Sequence, residues 1–159
     1  MRDQSFRNHL QNLEQQGELV RVDKKTDPHE NVSAIGWKTY DRFAKSTLFS
    51  NLNGFPGWKL VCQVVTDRSK WAIAFGVKEE EVIATVVKRI KHPLEPTLVD
   101  AKSAPIKEVI LKGDAADLTK LPAMWTSEQD PGPYIAAGMA IIKDPDTGIR
   151  NMSYHRQQI

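Results

Sequence analysis

Between Pro96 and Pro105 the chain changes character, and that break limits what it can fold into more than any other feature. Before it, apolar residues recur at helical spacing in segments separated by short β-branched runs. After it no helical period survives, and Pro105, Pro122, Pro131 and Pro133 interrupt the chain. The first part therefore reads as a mixed α/β domain over residues 1–103. Helices are expected over 5–16 (stripe Phe6, Leu10, Leu13; cap Asp3 or Ser5; stop at Gly17), from Asp27-Pro28 onward (buried face Val32, Ile35, Tyr40), over 67–75 and over 79–91. Strands are expected over 18–23, 47–50 and 58–66, with a turn at Asn53-Gly54. The second part, 104–159, reads as β-rich. It has strands over 106–111, 134–143 and 149–159, an ordered loop over 115–133 and a turn at Asp144-Pro145-Asp146-Thr147-Gly148. The fold class is α+β.

Charge and composition exclude several kinds of function. With 22 basic and 20 acidic residues the net charge is +2, spread too evenly for a nucleic-acid surface. The one basic cluster, Lys88-Arg89-Ile90-Lys91-His92, sits at an expected helix C-terminus, where cations suit the dipole. No apolar run approaches the roughly 20 residues of a membrane-spanning helix. The polar start Met1-Arg2-Asp3-Gln4 is unlike a signal peptide, so a cytoplasmic protein is expected. Cys62, the only cysteine, lies in an apolar run and reads as a small core residue.

Four segments, in order, carry a family likeness. They are Gly17-Glu18-Leu19-Val20-Arg21-Val22-Asp23; Leu48-Phe49-Ser50-Asn51-Leu52-Asn53-Gly54-Phe55-Pro56; Ala104-Pro105-Ile106-Lys107-Glu108-Val109-Ile110-Leu111-Lys112-Gly113-Asp114; and Gly132-Pro133-Tyr134-Ile135-Ala136-Ala137-Gly138 running on to Lys143-Asp144-Pro145-Asp146-Thr147-Gly148-Ile149-Arg150-Asn151-Met152-Ser153-Tyr154-His155-Arg156. The chain thus resembles the N-terminal part of UbiD-family decarboxylases, and the Ser153-Tyr154-His155-Arg156 wording resembles the hydroxyaryl-acid branch. The resemblance implies non-oxidative removal of carboxylate from aromatic (hydroxybenzoate-type) acids. It implies prenylated FMN held in a split β-barrel-like domain beginning at residue 104, with Mn²⁺ and K⁺ at its phosphate and a flavin prenyltransferase as supplier. It places Asn151 as a metal ligand, Arg156 as the catalytic residue beside substrate carboxylate and cofactor, and Ser153, Tyr154, His155 and Arg156 as cofactor contacts.

The residue types suit these roles. An Asn carbonyl is a hard-cation ligand, and a guanidinium holds a carboxylate by two parallel hydrogen bonds. Taken without the resemblance, Asn151 reads as a turn or strand-end residue, Arg156 as a solvated charge, and His155, His9, His29 and His92 as structural. Glu128 and Asp130 receive no role, and Trp37, Trp58, Trp71 and Trp125 read as core or interface anchors. Side chains alternate along a strand, so Asn151 and Arg156, five apart, reach one site only if the strand bulges or bends between them. The resemblance also implies longer proteins, whose downstream part supplies further metal and acid groups. Residues 1–159 alone are expected to be inactive, to bind none of these cofactors, and to form a homo-oligomer, the β tail being covered by its own N-terminal domain, by a second copy, or by both. The rival readings are a non-catalytic interaction or oligomerisation module of the same family, and a reductase-type flavin barrel. The last has no phosphate-cradling Gly-rich loop behind it.

Overall fold

The computed structural model describes residues 5–159, so a cap at Asp3 lies outside the described residues. Two compact units emerge. One comprises Leu13–Val64 with Leu118–Ile159, and the other residues 5–12 with Val65–Asp117.

In the first unit, β1 (Leu19–Val22), β2 (Ser46–Phe49) and β3 (Leu60–Cys62) form a sheet in that order. β1 runs parallel to β2, Leu19 opposite Ser46, and β2 antiparallel to β3, Thr47 opposite Cys62. A parallel pair needs a crossover, and α2 (Val32–Phe43) supplies it. β2 is central, and all four of its residues are buried. Val32, Phe49, Leu52 and Cys62 form the core, with Ile35, Leu60 and Met124 packed against it. Gly36 lets α2 approach the sheet closely: a Cβ there would stand 3.1 Å from both Cβ and Sγ of Cys62. α1 (Phe6–Gln15) ends in this unit, where Leu13 is fully buried and Glu14 forms a two-pronged ion pair with Arg21. The Arg21 hydrogen bond holds the Glu14 carboxyl below its ordinary range.

Two expectations shift here. Asp27 does accept hydrogen bonds from the His29 and Glu30 N–H groups, but the regular helix starts only at Val32. The intervening residues form turns, and the buried face of α2 is Val32, Ser33 and Gly36 rather than one reaching Tyr40. The strand expected over 58–66 shrinks to β3, because Gln63 takes a left-handed backbone (φ 56°) that ends the ladder.

The tail of this unit is a single long antiparallel hairpin with a defect. β5 (Met139–Lys143) pairs with β6 (Arg150–Tyr154), and β4 (Tyr134–Ile135) pairs with β7 (Gln157–Gln158). Between the pairs Met139–Tyr154 and Ile135–Gln157 lie three residues on one strand, 136–138, and two on the other, 155–156. That one-residue excess is a bulge. The hairpin loop is built on Asp144, whose carboxylate accepts the Asp146 and Thr147 N–H groups, and on Gly148 at φ 72°. The Thr147 N–H is the main cause of the lowered Asp144 pKa.

In the second unit α3 (Arg68–Phe75) is capped by Asp67, whose Oδ1 accepts the Lys70 N–H at 3.1 Å, and is closed by Gly76 at φ 68°. A 3₁₀ turn over Glu79–Glu81 leads into α4 (Val82–Ile90). Of the expected α4 stripe only Val82 is buried; Ile83, Val87 and Ile90 are exposed. The strand expected over 106–111 does not form. Pro105–Lys107 is a 3₁₀ turn, and Ile106, Val109, Ile110 and Leu111 are exposed. A strand exists only with a partner, and no described strand lies beside this segment. The tryptophans expected as core or interface anchors are not core: Trp37, Trp58, Trp71 and Trp125 all keep more than a third of their surface exposed. Cys62 is buried as expected, and burial pushes its thiol up to about 11.

Candidate functional site

The segment 151–156 straddles the hairpin defect. Asn151 lies on β6 opposite Ile142, and Ser153 lies opposite Ala140, so these two share a strand face. Tyr154 ends β6 on the other face, opposite Met139. His155 and Arg156 sit in the gap where β6 gives way to β7. The register shift lies beside the stretch between Asn151 and Arg156, with its extra residue on the opposing strand at 136–138.

The bulge is fixed by its surroundings. The His155 N–H donates to the Gly138 carbonyl at 2.9 Å. A Cβ on Gly138 would stand 2.8 Å from the His155 carbonyl oxygen, closer than real Cβ contacts come, so the crossing needs a glycine.

Each side chain has a definite setting. The Asn151 Oδ1 accepts the Met152 N–H at 2.9 Å, and the residue is exposed. Ser153 Oγ and His155 Nε2 are hydrogen-bonded at 2.8 Å. Tyr154 is exposed. The Arg156 guanidinium lies 4.1 Å above the Tyr134 ring, with one nitrogen 3.4 Å from Asp130 Oδ1. Its side chain keeps 48% of its surface open, against 11% for Asp130.

Asp130 and Tyr134 were invisible to sequence reasoning as parts of a site, since no periodicity links them to a residue more than twenty positions later. The one signal was position: Tyr134 lies in the segment that carries the family likeness, and Asp130 lies two residues before that segment begins. Asp130 is held by its own loop. The Ser127 N–H donates to its Oδ2 at 3.1 Å, the Asp130 N–H donates to the Ser127 carbonyl, and the Trp125 indole N–H donates to the Asp130 carbonyl at 3.1 Å.

The same loop lines a cleft of about 570 Å³ with His29, Ser33, Trp37, Trp125 and Glu128. The His29 and Trp125 rings meet edge to face at 5.6 Å, and Ser33 Oγ donates to the Thr126 carbonyl at 3.2 Å. None of residues 151–156 lines this cleft.

A guanidinium, a hydroxyl–imidazole pair and exposed aromatic rings suit an anionic, planar ligand such as a flavin phosphate or an aromatic carboxylate. A divalent metal is a different matter. It takes about six oxygen ligands. Among the described residues no group of three or more His, Cys, Asp or Glu gathers to hold one. Asn151 Oδ1 also already accepts a backbone N–H, so this chain offers one ligand and not a site.

Two family descriptions match the chain in order. The 3-octaprenyl-4-hydroxybenzoate carboxy-lyase N-terminal domain covers residues 10–90, and the Rift-related domain of the same carboxy-lyase covers 97–159. Among solved structures the chain is similar to an evolved dimeric form of the UbiD-class enzyme HmfF from Pelotomaculum thermopropionicum in complex with prFMN. The identity is 35% and the TM-score 0.88, over 97% of this chain and 35% of that one. It is similar to apo 3,4-dihydroxybenzoic acid decarboxylase (AroY) from Klebsiella pneumoniae at 25% identity and TM-score 0.86, over 96% of this chain and 34% of that one. Vanillic acid decarboxylase from Sedimentibacter hydroxybenzoicus, at 24% identity and TM-score 0.88 over 100% of this chain and 36% of that one, shares the fold. The chain spans about a third of the length of the solved structures it matches.

Proposed function

The chain belongs to the UbiD family of carboxy-lyases, and from that premise we propose that it is the N-terminal part of a prenylated-FMN-dependent, non-oxidative decarboxylase of hydroxybenzoate-type acids. The observation that carries this reading is the ordered match of both family domains across residues 10–159, joined to the likeness with a prFMN-bound enzyme. In this reading residues 1–103 are the α/β domain and 104–159 begin the split-barrel flavin domain.

Arg156 is the catalytic residue. Its planar fork pairs with the substrate carboxylate by two parallel hydrogen bonds, fixing the bond to be broken relative to the cofactor. Ser153, Tyr154 and His155 line the cofactor, and the Ser153–His155 hydrogen bond sets the imidazole's orientation. When bound, prenylated FMN would supply the electron sink for the bonding pair left on the substrate carbon as CO₂ departs. Asn151 contributes one oxygen to an Mn²⁺ site whose other ligands, with K⁺, come from outside these residues. A flavin prenyltransferase is the partner that supplies the cofactor.

No described helix is long and apolar enough to cross a membrane, and a cytoplasmic setting fits such an enzyme. The decisive experiment is a CO₂-release assay of the longer protein carrying this chain, co-expressed with a flavin prenyltransferase, against a panel of hydroxybenzoates. Release that requires the prenyltransferase is expected. No release from any substrate in the panel overturns the proposed activity.

A second reading, an interaction or oligomerisation module, has one observation in its favour. Met139, Ile141, Met152 and Tyr154 share one face of the β5–β6 hairpin, and all four are exposed. Such a face calls for cover. Light scattering over a dilution series tests whether a second copy provides it, a homo-oligomer being expected.

A further inference from the structure

Arg156 carries a long, flexible side chain at the edge of a hairpin, half open to solvent. An arginine so placed samples many rotamers unless something holds it. Two groups do. Tyr134 is fixed in β4 opposite Gln158, two residues beyond Arg156, and its hydroxyl meets Gln158 Oε1 at 3.4 Å. Its ring therefore lies under the guanidinium as a consequence of the hairpin register. Asp130 meets one guanidinium nitrogen through Oδ1, while its Oδ2 is taken by the Ser127 N–H. Oδ2 is thus anchored to the loop while Oδ1 faces the guanidinium. The contact uses one guanidinium nitrogen, and other guanidinium N–H groups are left to meet a second carboxylate.

We infer that Asp130 is the positioning residue of this site: together with the Tyr134 ring it holds the Arg156 guanidinium in place while leaving part of the fork free for the substrate's carboxylate. The role of Arg156 rests on the function proposed above; the role of Asp130 rests on these contacts. Asp130 touches no substrate. It reduces the rotamer freedom that substrate binding would otherwise have to remove, so its effect falls on substrate affinity and orientation rather than on the cofactor.

The test compares Asp130→Asn with Glu128→Gln in the holoenzyme. Both remove one negative charge from the same loop, but Glu128 makes no contact with Arg156 and lines the separate cleft. Asp130→Asn is expected to raise KM for the aromatic carboxylate by about tenfold, with kcat changed less than about threefold and bound-flavin absorbance unchanged. Glu128→Gln is expected to leave all three in place. A second readout is independent of turnover: the rate at which phenylglyoxal modifies Arg156, followed by peptide mass spectrometry. It is expected to rise several-fold in Asp130→Asn alone, because the paired guanidinium is shielded. An unchanged KM in Asp130→Asn, or an equal rise in Glu128→Gln, overturns the positioning role. If the wild-type enzyme itself releases no CO₂, the proposed activity fails, and the phenylglyoxal rate alone decides the inference about Asp130.

Discussion

Asp67→Asn offers a sharp test of how the second unit is held together. Lys70 is fully buried, and its ammonium is 2.5 Å from Asp67 Oδ2. Burial alone would raise the Asp67 carboxyl. Hydrogen bonds from the Lys70 side chain, the Ser69 hydroxyl and the Lys70 N–H, with the Lys70 charge, overturn that and bring it down from 3.8 to about 2. That difference is worth roughly 2 kcal/mol of stability at neutral pH, which sets a floor for losing the charge. Removing one charge of a buried ion pair costs at most about 3–5 kcal/mol, which sets the upper range. Asparagine is a good helix cap, so capping itself should survive and the loss reports the ion pair.

The expected result is a loss of about 2–4 kcal/mol at pH 7 in urea unfolding, monitored at the helix signal. The pH dependence has a definite sign. The folded pKa lies below the unfolded one, so the wild-type advantage is complete above the ordinary pKa and fades as pH falls from 3.8 toward about 2. The gap between wild type and Asp67→Asn should therefore narrow across that window. A loss under about 0.5 kcal/mol, or a gap that stays constant down to pH 2, would refute the reasoning.

Other outcomes follow from particular contacts. Gly138→Ala should open the bulge, because its Cβ would meet the His155 carbonyl at 2.8 Å; amide exchange at His155, whose N–H binds the Gly138 carbonyl, should speed up by at least about tenfold. Cys62, buried and raised to about 11, should resist iodoacetamide at pH 8 in the native protein and react promptly in urea. In the longer enzyme Arg156→Lys should cost roughly a hundredfold in kcat/KM, since a point charge lacks the fork, whereas near-normal turnover would remove Arg156 from the catalytic role. Residues 1–159 by themselves should release no CO₂ above a protein-free control.

Local chemistry made part of this protein legible in its sequence. The helix stop at Gly76 and the turn at Asn53-Gly54 depend on near neighbours and formed where the residues placed them, and the strand expected over 47–50 formed one residue earlier, at 46–49. The family likeness rested on contiguous segments and was equally readable. What the sequence left open were features that depend on partners far along the chain. Residues 106–111 have strand-like composition but no strand beside them, so their start joins a 3₁₀ turn and the rest is irregular. The helix after Asp27 starts late, and β3 ends early at Gln63. Alternation called for a bend if Asn151 and Arg156 were to share a site, but the register shift beside them, with its extra residue at 136–138, is set by the opposing strand. Asp130 read as a plain loop acid, and only the folded hairpin brings Arg156, twenty-six residues later, to its carboxylate. Helix caps and turns are decided within a few residues, whereas strand pairing and the company of a charge are decided by whichever distant segment the fold sets beside them.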